Sequence, residues 1–311
     1  MIKVLITGAT GFLGSYITER LVNTGLFDVV AVKRRASDLW RCNSYKNKIN
    51  WLNLDDEEWM SAALSFSPDV IIHCAWSGVV ASDRLDWGGQ LKNLDLLLAL
   101  LEIARKSKSS KFVGLGSQAE YGRFSGKIEE SAVAKPNTAY GAVKLMSCNL
   151  VESYCTENNI DWFWLRLFPL FGPKEDLNWL LPSVMKSIND GKEMDLTPGE
   201  QRYAYLYVKD FSNLIYKIVV SPPGSLSGVY NISATSAVSL KELVTRIRDV
   251  VNPAVRLNFG ALPYRHYQTM HMEGDMSKYL NAFGEVEDAD FEKKIIETIE
   301  YYMIKFAENG D

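Results

Sequence analysis

Tyr140 and Lys144 are four residues apart in the segment Tyr140-Gly-Ala-Val-Lys144, and such a pair can transfer protons. On an α-helix, residues at this spacing lie on one face with their Cβ atoms about 5–6 Å apart. A neighbouring ammonium lowers the pKa of a phenol from its ordinary value of about 10, by about 1–3 units where water is excluded. The pair therefore predicts a tyrosine that acts as an acid or base near neutral pH. Exposed helices carry the same spacing without any chemistry, so the interpretation depends on the rest of the chain.

The composition is that of an ordinary globular protein. The 311 residues are 47% hydrophobic and 23% charged, which is enough for one large core or for two lobes that share a cleft. The net charge of −4 gives no general attraction to nucleic acid or to an anionic membrane, so neither is expected as a partner. The four cysteines have no CxxC spacing and the three histidines no HExxH pattern, so no metal site is expected.

The beginning of the chain, residues 1–6, predicts a buried strand and has none of the features of a secretory signal peptide. The most apolar stretch, residues 94–103, is interrupted by Asp95 and Glu102 and is too short to cross a bilayer. A cytoplasmic protein without a membrane span is therefore expected.

Short β-rich apolar runs alternate with amphipathic segments through the first two-thirds of the chain. This alternation predicts an α/β fold in which helices cover both faces of a doubly wound parallel sheet. The predicted strands are residues 2–7, 28–34, 49–53, 69–74, 111–116 and 160–167. The predicted helices are residues 11–25, a segment after residue 55, residues 87–106 and residues 138–158.

A glycine occurs at every third position between the first predicted strand and helix, in Gly8-Ala-Thr-Gly11-Phe12-Leu13-Gly14. Glycine permits a tight turn, and the helix N-terminus then presents unpaired N–H groups to a pyrophosphate. The alternative is a glycine turn that only packs the helix against the strand. The order of strand, turn and helix favours a dinucleotide site at this segment.

The end of the second predicted strand carries three consecutive cations, Lys33, Arg34 and Arg35, and no acidic residue. A carboxylate at this place binds the adenosine ribose of NAD, whereas an arginine accommodates the 2′-phosphate of NADP. We therefore predict NADP(H) as the preferred cofactor, with NAD(H) as the alternative; a solvated basic turn would have the same sequence. Asn53 and Leu54, after the third predicted strand, are expected to contact the adenine.

The chain changes in character after residue 166, where prolines and aromatic residues separate shorter helices. We therefore predict a dinucleotide-binding Rossmann domain made of residues 1–165 and 203–233. A smaller C-terminal lobe, made of residues 166–202 and 234–311, is predicted to bind the substrate. In this division a strand and a helix in residues 205–220, and a strand at residues 229–232, return to the main sheet.

Ser117 lies at the end of the fifth predicted strand, in Gly116-Ser-Gln-Ala-Glu-Tyr-Gly122. The carboxyl ends of the strands in a doubly wound sheet face the ligand crevice, so Ser117 and Tyr140 are expected to share one site. A hydroxyl there can hydrogen-bond the carbonyl of a substrate. The alternative is a serine that only caps a turn.

Together these motifs resemble the extended short-chain dehydrogenase/reductase family, and within it the NAD(P)-dependent nucleotide-sugar epimerases, dehydratases and reductases. The resemblance includes residues 166–173 and 207–210 and covers nearly the whole chain. It implies that Tyr140 exchanges the proton, that Lys144 holds the nicotinamide ribose and lowers the pKa of the phenol, and that Ser117 polarises the reacting oxygen. Relatives often dimerise through two long helices, so a homodimer is also expected.

The resemblance assigns further residues to the cofactor and to a nucleotide-sugar substrate. His73 and Ala75 are expected to wall the cofactor, with His73 structural rather than catalytic, and Asn93 is expected to brace the site. In the smaller lobe, Arg265 is expected to hold the diphosphate of the substrate. Arg202 is expected to assist, although it is displaced by one position from the arginine that is usual in the family. Gln118 is expected to line the substrate pocket. Five further residues are expected either to line it or to pack in the core or the lobes: Trp76, Ser77, Trp87, Tyr121 and Trp179.

Gln118 and Ala119 indicate the reaction. Relatives that dehydrate a sugar carry an acid at the first of these positions, commonly followed by a glutamate, and neither Gln118 nor Ala119 can exchange that proton. The segment instead resembles reductases of nucleotide-linked 4-keto-6-deoxyhexoses, of the abequose synthase type. The prediction is therefore NADPH-dependent reduction of the C4 carbonyl in deoxysugar precursor synthesis. A nucleotide-sugar 4-epimerase and a non-enzymatic NADP(H)-binding regulatory protein are the alternatives.

Overall fold

The computed structural model describes residues 1–224, 226–264, 268–285 and 290–308. The strands in this part of the chain are β1 (Ile2–Thr7), β2 (Phe27–Lys33), β3 (Asn50–Asn53), β4 (Val70–His73), β5 (Lys111–Ser117), β6 (Gly126–Ile128), β7 (Asp161–Leu167), β8 (Leu170–Phe171), β9 (Met194–Leu196), β10 (Arg202–Tyr203), β11 (Leu206–Tyr207), β12 (Gly228–Ile232), β13 (Val238–Ser239), β14 (Leu257–Phe259) and β15 (His271–Gly274). The α-helices are α1 (Phe12–Val22), α2 (Trp59–Phe66), α3 (Trp87–Leu91), α4 (Asn93–Ser107), α5 (Ala139–Glu157), α6 (Leu180–Asn189), α7 (Val208–Val220), α8 (Leu240–Val251), α9 (Ser277–Phe283) and α10 (Phe291–Glu308). Short 3-10 helices span Trp40–Cys42, Ala81–Leu85 and Gln118–Tyr121.

Seven parallel strands form the main sheet, in the order β12-β7-β5-β4-β1-β2-β3. The order reverses at β1, which pairs with β2 on one side and with β4 on the other. Thr7 at the end of β1 lies opposite Val32 and His73, so the three strands end at one level. This arrangement confirms the predicted doubly wound α/β fold, and it forms the crevice in which such folds bind ligands.

Helices cover both faces of the sheet because the strands are apolar on both sides. Along β1, Val4 and Ile6 face a core that includes residues of α1, α7 and α9, whereas Leu5 faces the core under α2, α4 and α5. This alternation is the two-residue period of a pleated strand. The strands are therefore held between two apolar layers, and their carboxyl ends have fixed positions.

Residues of α6, α8 and α10 form most of a third core, which also includes Tyr16 of α1 and Tyr207 of β11. A separate four-stranded sheet has the order β13-β10-β15-β6. Its strand β6 pairs with β15, so residues 126–128 join a sheet of the smaller lobe although the prediction placed them in the Rossmann domain. The strand β12 pairs with β7 in the main sheet, and α7 packs on the same sheet, as predicted. The strand predicted within residues 205–220 does not join that sheet, because β11 pairs with β8 in a separate two-stranded sheet. The two-lobe division itself stays a prediction.

The helices of the site region differ from the prediction in one respect. The predicted helix at residues 87–106 is two helices, α3 and α4, which meet at Lys92. The helix that carries Tyr140 begins at Ala139, where the side chain of Thr138 accepts a hydrogen bond from the backbone N of Gly141. No helix in the described part of the chain is both long and apolar enough to span a membrane. No group of three metal-binding side chains occurs among the described residues.

Candidate active site

The glycines at the turn between β1 and α1 lie where the backbone segments approach closely. Gly8 has a φ of +74°, and a Cβ there would lie 2.6 Å from the backbone N of Ala75. A Cβ at Gly14 would lie 2.2 Å from the carbonyl oxygen of Gly8. Helix α1 begins at Phe12, and its N-cap, Gly11, provides no side-chain hydrogen bond to the first N–H groups. The turn therefore offers the close approach and the N–H donors that a pyrophosphate requires.

A cleft of about 320 Å³ opens at the carboxyl ends of β1, β2 and β4. Six of the residues predicted to bind the cofactor line this cleft: Gly8, Gly11, Lys33, Arg34, Leu54 and Ala75. Trp76 and Ser77, which were predicted to contact the substrate, line the same cleft. Leu13 packs its side chain against the core beside the cleft instead. The glycine turn, the basic strand end and the cleft between them fit a nicotinamide adenine dinucleotide.

His73 is buried at the end of β4 and supports one wall of the cleft. Its Nδ1 lies 2.9 Å from Oγ1 of Thr7, and the same hydroxyl accepts a hydrogen bond from the backbone N of Ala75 at 3.3 Å. Burial lowers the pKa of His73 to about 3, so the ring is neutral near pH 7. His73 therefore holds β1 and the segment after β4 together, which agrees with the structural role expected for it.

The three cations at the end of β2 have different partners. Lys33 Nζ donates to Oδ1 of Asn53 at 3.1 Å. This bond also holds the side chain of Asn53, which is expected to contact the adenine. Arg35 forms an ion pair with Asp56, with 2.5 Å between Nη2 and Oδ1. Arg34 is exposed and borders the cleft. Arg35 is therefore paired with a carboxylate, whereas Arg34 lies at the edge of the cleft.

Ser117, Tyr140 and Lys144 come together where β5 ends and α5 begins. Their exposed fractions are 8%, 8% and 4%, so water has little access to any of them. The Ser117 side chain lies near the phenol of Tyr140 and lowers the pKa of that phenol. The ring of Trp76 lies edge-on to Tyr140, with 6.3 Å between the ring centres, and its Nε1 donates to Gln90 at 2.9 Å. The predicted trio thus forms one buried site beside the cofactor cleft.

The structure contradicts the predicted change in the pKa of Tyr140. Burial raises the pKa of this phenol, and the side chain of Ser117 and the charge of Arg84 offset the increase only in part. Lys144 does not lower it, because its ammonium donates to the carbonyl oxygen of Leu115 at 2.6 Å and lies 6.0 Å from the centre of the phenol ring. Tyr140 is therefore protonated at neutral pH and is in the state of an acid.

Lys144 is itself strongly affected by its surroundings. Its Nζ lies 3.5 Å from the centre of the Trp76 ring, a cation–π contact. Burial lowers the pKa of Lys144 to about 7, and the carboxylate of Glu120 is the strongest influence in the opposite direction. A lysine with this pKa changes its charge within the physiological pH range.

Tyr121 lies in the core beneath the site, which corrects the prediction that it lines the substrate pocket. Its hydroxyl donates to Oδ1 of Asn231 at 2.7 Å, and its ring lies against the guanidinium of Arg166. Asn93 braces the segment after β4, as the resemblance implied: its Oδ1 accepts from the backbone N of Ser77 at 2.7 Å. The same contact ties down Ser77 at the edge of the cleft.

The remaining predicted substrate residues have varied surroundings. Gln118 is half-buried and begins the 3-10 helix that follows β5. Arg202 is exposed on β10, where its Nη2 donates to the carbonyl of Ala237 at 2.6 Å. Trp87 and Trp179 are exposed, at the start of α3 and just before α6. Arg265 lies outside the described residues.

Residues 4–233 match the family model of the NAD dependent epimerase/dehydratase family. The chain belongs to this family. The match covers more than half of the protein and confirms the resemblance drawn from the motifs. The protein is thus an enzyme of a family of NAD-dependent oxidoreductases and epimerases.

Three known members of this epimerase/dehydratase group are similar along nearly the whole chain. CDP-abequose synthase from Salmonella muenchen is 26% identical over 297 residues, which cover 94% of this chain and 95% of that protein. The dTDP-6-deoxy-L-talose 4-dehydrogenase (NAD(+)) of Aggregatibacter actinomycetemcomitans is 23% identical over 279 residues, or 88% and 99% of the two chains. The structure of UDP-glucuronic acid 4-epimerase from Bacillus cereus, with UDP-glucuronic acid and NAD, superposes with a TM-score of 0.86 at 20% identity, over 98% and 100% of the chains. This last likeness concerns the fold.

Two residues of this family member's site were missed by the sequence reasoning. Arg84 places its guanidinium carbon 5.2 Å from the centre of the Tyr140 ring, and it lies in a short 3-10 helix whose sequence has no recognisable motif. Glu120 is fully buried, and it forms a capping box with Ser117. The capping interaction confirms that Ser117 also caps a turn. The spacing Ser-x-x-Glu is a known helix-start signal that could have identified this pair.

Proposed function

We propose that this enzyme uses NADPH to reduce the C4 carbonyl of a nucleotide-linked 4-keto-6-deoxyhexose. The observation that carries the proposal is the buried, protonated phenol of Tyr140, which lies near Ser117 beside the cleft. A reductase needs a proton donor at this place, and the raised pKa of the phenol keeps the proton available. The similarity to CDP-abequose synthase supports the same substrate class.

The residues of the site perform complementary parts of the reaction. The nicotinamide, when bound, supplies the hydride. The glycine turn and Arg34 hold the cofactor, while the hydroxyl of Ser117 hydrogen-bonds the carbonyl oxygen of the sugar. Tyr140 donates its proton to this oxygen as negative charge develops on it. The phenolate that results is stabilised by Arg84, whose guanidinium carbon lies 5.2 Å from the centre of its ring.

The absence of a suitable acid beside Ser117 argues against dehydration. Gln118 and Ala119 carry no group that could expel a sugar hydroxyl as water. Glu120, the next residue, is fully buried and its carboxylate accepts hydrogen bonds from Trp164 and Arg166. The carboxylate of Glu120 therefore cannot act as the acid of a dehydration. Tyr140 is the proton donor of the proposed reaction.

The preference for NADPH over NADH is proposed from Arg34 and from the lack of an acidic residue at the end of β2. The name of the similar dTDP-6-deoxy-L-talose 4-dehydrogenase specifies NAD(+) as its cofactor, so NAD(H) is the alternative cofactor for this enzyme. Steady-state kinetics with both cofactors decide between them. Equal efficiency, or a preference for NADH, would overturn the proposed specificity. We expect the reaction to take place in the cytoplasm, where NADPH is regenerated.

The proposed reaction is tested with NADPH and a panel of TDP-, CDP-, GDP- and UDP-linked 4-keto-6-deoxy sugars. NADPH oxidation is followed by absorbance, and the configuration of each product is determined by NMR. Tyr140→Phe should lower turnover by about 10²–10⁴-fold while NADPH binding stays within about twofold. Tyr154→Phe is the matched control, because Tyr154 lies on the same helix and its hydroxyl donates to Glu102. A Tyr140→Phe variant with wild-type turnover would refute the assignment.

A 4-epimerase is the second candidate, because the family of this chain includes epimerases. An epimerase would retain its cofactor through purification and would convert a sugar without net consumption of added NADPH. A regulatory protein that only binds NADP(H) would oxidise no NADPH with any member of the panel. The same assay therefore separates the three functions.

We also propose a homodimer that buries the outer faces of α3, α4 and α5. Large apolar side chains are exposed on these helices: Trp87, Leu91, Leu98 and Met146. Burying such side chains in a symmetric interface removes apolar area from water. Sedimentation velocity at micromolar concentration tests this assembly.

A further inference from the structure

We infer that Glu120 is a positioning residue of the active site, which holds the backbone of Ser117 and provides the fixed negative charge for two buried cations, Arg166 and Lys144. The inference rests on the proposed function, since it concerns the organisation of the same site. Glu120 has no exposed surface and cannot itself meet a substrate. Its influence must therefore pass through the groups that it contacts.

The carboxylate of Glu120 accepts hydrogen bonds from three donors. Its Oε1 accepts from the backbone N of Ser117 at 2.8 Å and from Nε1 of Trp164 at 2.9 Å. Its Oε2 accepts from Nε of Arg166 at 2.8 Å. Charge-assisted bonds of this kind are stronger than neutral ones and fix geometry. One side chain thus links the 3-10 helix of Ser117 to β7, directly below the catalytic serine.

The strand β5 is shaped to receive this carboxylate. A Cβ at Gly116 would lie 2.5 Å from Oε1 of Glu120 and 2.3 Å from Nε1 of Trp164. A Cβ at Gly114 would lie 2.6 Å from the ring of Trp164. Real Cβ atoms do not approach other atoms so closely, so any residue other than glycine at these positions would displace the indole or the carboxylate. The sequence Gly-Leu-Gly-Ser therefore provides the space that the interaction requires.

The ring of Trp164 lies between Glu120 and Lys144. Its Nε1 donates to the carboxylate, and the Nζ of Lys144 lies 5.9 Å from its ring centre. Glu120 raises the pKa of Lys144 against the larger, opposite effect of burial. Arg166, which is almost completely buried, would be left as an uncompensated positive charge if Glu120 were neutral.

The other titratable groups near Lys144 supply no negative charge at neutral pH. Burial raises the pKa of Cys74, which follows β4, to about 12, and lowers the pKa of His73, at the end of β4, to about 3. The pKa of Tyr140, on the same helix as Lys144, is also raised by burial. All three are neutral near pH 7, so the charge of Lys144 depends on Glu120.

The test is Glu120→Gln, which keeps the size of the side chain and removes its charge. The titration of Lys144 is followed by the NMR shift of its ε-carbon in the whole protein without substrate, with Lys144→Met used to assign the signal. We expect the midpoint to fall by about one pH unit or more. The kcat for keto-sugar reduction should fall about 10- to 100-fold, with the KM for NADPH within about twofold. Glu102→Gln, at a surface ion pair with Arg105, should change neither quantity.

Glu120→Asp separates the charge from the position. The aspartate keeps the charge but is one methylene shorter, so the Lys144 midpoint should stay within about half a unit while kcat still falls about tenfold because Ser117 loses its support. This variant also decides the question if Glu120→Gln does not fold. An unchanged Lys144 titration in Glu120→Gln, or wild-type kcat in Glu120→Asp, overturns the inference. If no keto sugar is reduced, the proposed function fails, but the NMR titration still tests Glu120.

Discussion

Replacement of Lys144 by methionine should stabilise the folded protein at pH values below about 7. Burial lowers the pKa of Lys144 from 10.5 to about 7 in the folded protein, whereas the unfolded chain restores the ordinary value. Below pH 7 the folded protein must therefore hold a buried ammonium that the unfolded chain keeps in water. Methionine has a similar length and no charge, so it removes this cost.

The magnitude follows from the two pKa values. A difference of about 3.5 pH units corresponds to about 5 kcal/mol in the free energy of unfolding, at about 1.4 kcal/mol per unit. The variant loses the hydrogen bond to Leu115 and the contact with the Trp76 ring, which together contribute about 1–3 kcal/mol. A net stabilisation of about 2–4 kcal/mol is therefore expected at low pH.

The effect should depend on pH in one direction. Because the folded pKa of Lys144 lies below the unfolded one, the unfolded state binds more protons between about pH 7 and pH 10.5. The wild-type protein therefore gains stability relative to the variant as the pH rises through this window. The advantage of Lys144→Met should be complete below about pH 7 and should disappear, or reverse slightly, near pH 10.5.

The measurement is urea denaturation of nucleotide-free protein, followed by tryptophan fluorescence at about pH 6, 8 and 10. Lys48→Met is the matched control, because Lys48 is exposed and its replacement should leave the free energy of unfolding within about 0.5 kcal/mol at each pH. A Lys144→Met variant that is less stable than the wild type at pH 6 would refute the reasoning. So would a difference in stability that does not change with pH.

Three further changes test other parts of the molecule. Arg34→Ala should raise the KM for NADPH about 10- to 100-fold and leave that for NADH within about twofold, because a charge-assisted bond to a 2′-phosphate contributes about 1.5–3 kcal/mol. An equal rise in both constants contradicts the assignment. Lys111→Met should lower the free energy of unfolding, measured by urea denaturation, by about 2–4 kcal/mol. Lys111 Nζ donates to the carbonyl oxygens of Ile218 and Val219 at the end of α7, and methionine would leave these buried acceptors unpaired. Leu98→Arg should convert the proposed dimer to a monomer in sedimentation velocity, because Leu98 is 48% exposed on α4; an unchanged sedimentation coefficient contradicts this interface.

The main sheet could be predicted from the sequence because its strands are buried on both faces and read as short, continuous apolar runs. The strand β1 has the predicted bounds, and the other five predicted strands differ from the observed ones by one residue at an end or at both. The positions of Ser117 and Tyr140 followed from the same topology, since parallel strands bring their carboxyl ends to one edge. These features depend on local pattern and on a general rule of the fold.

The features that were missed depend on contacts between residues far apart in the chain. Spacing placed Lys144 beside Tyr140 on a helix face, but Leu115 and Trp76, from two other segments, determine where the ammonium lies. The pairing of β6 with β15 joins segments about 145 residues apart, and no local pattern encodes it. The burial of Tyr121 likewise depends on Asn231, a residue of the last strand of the main sheet.

The directions of the two altered pKa values at the site favour proton donation over proton removal. Burial raises the pKa of Tyr140 and lowers that of Lys144, so near pH 7 the proton lies on the phenol while the lysine is close to losing its own. A reaction that begins with oxidation of a sugar hydroxyl requires Tyr140 as a phenolate, and burial makes this form costly. Reduction requires the phenol, which is the form that the folded protein already holds.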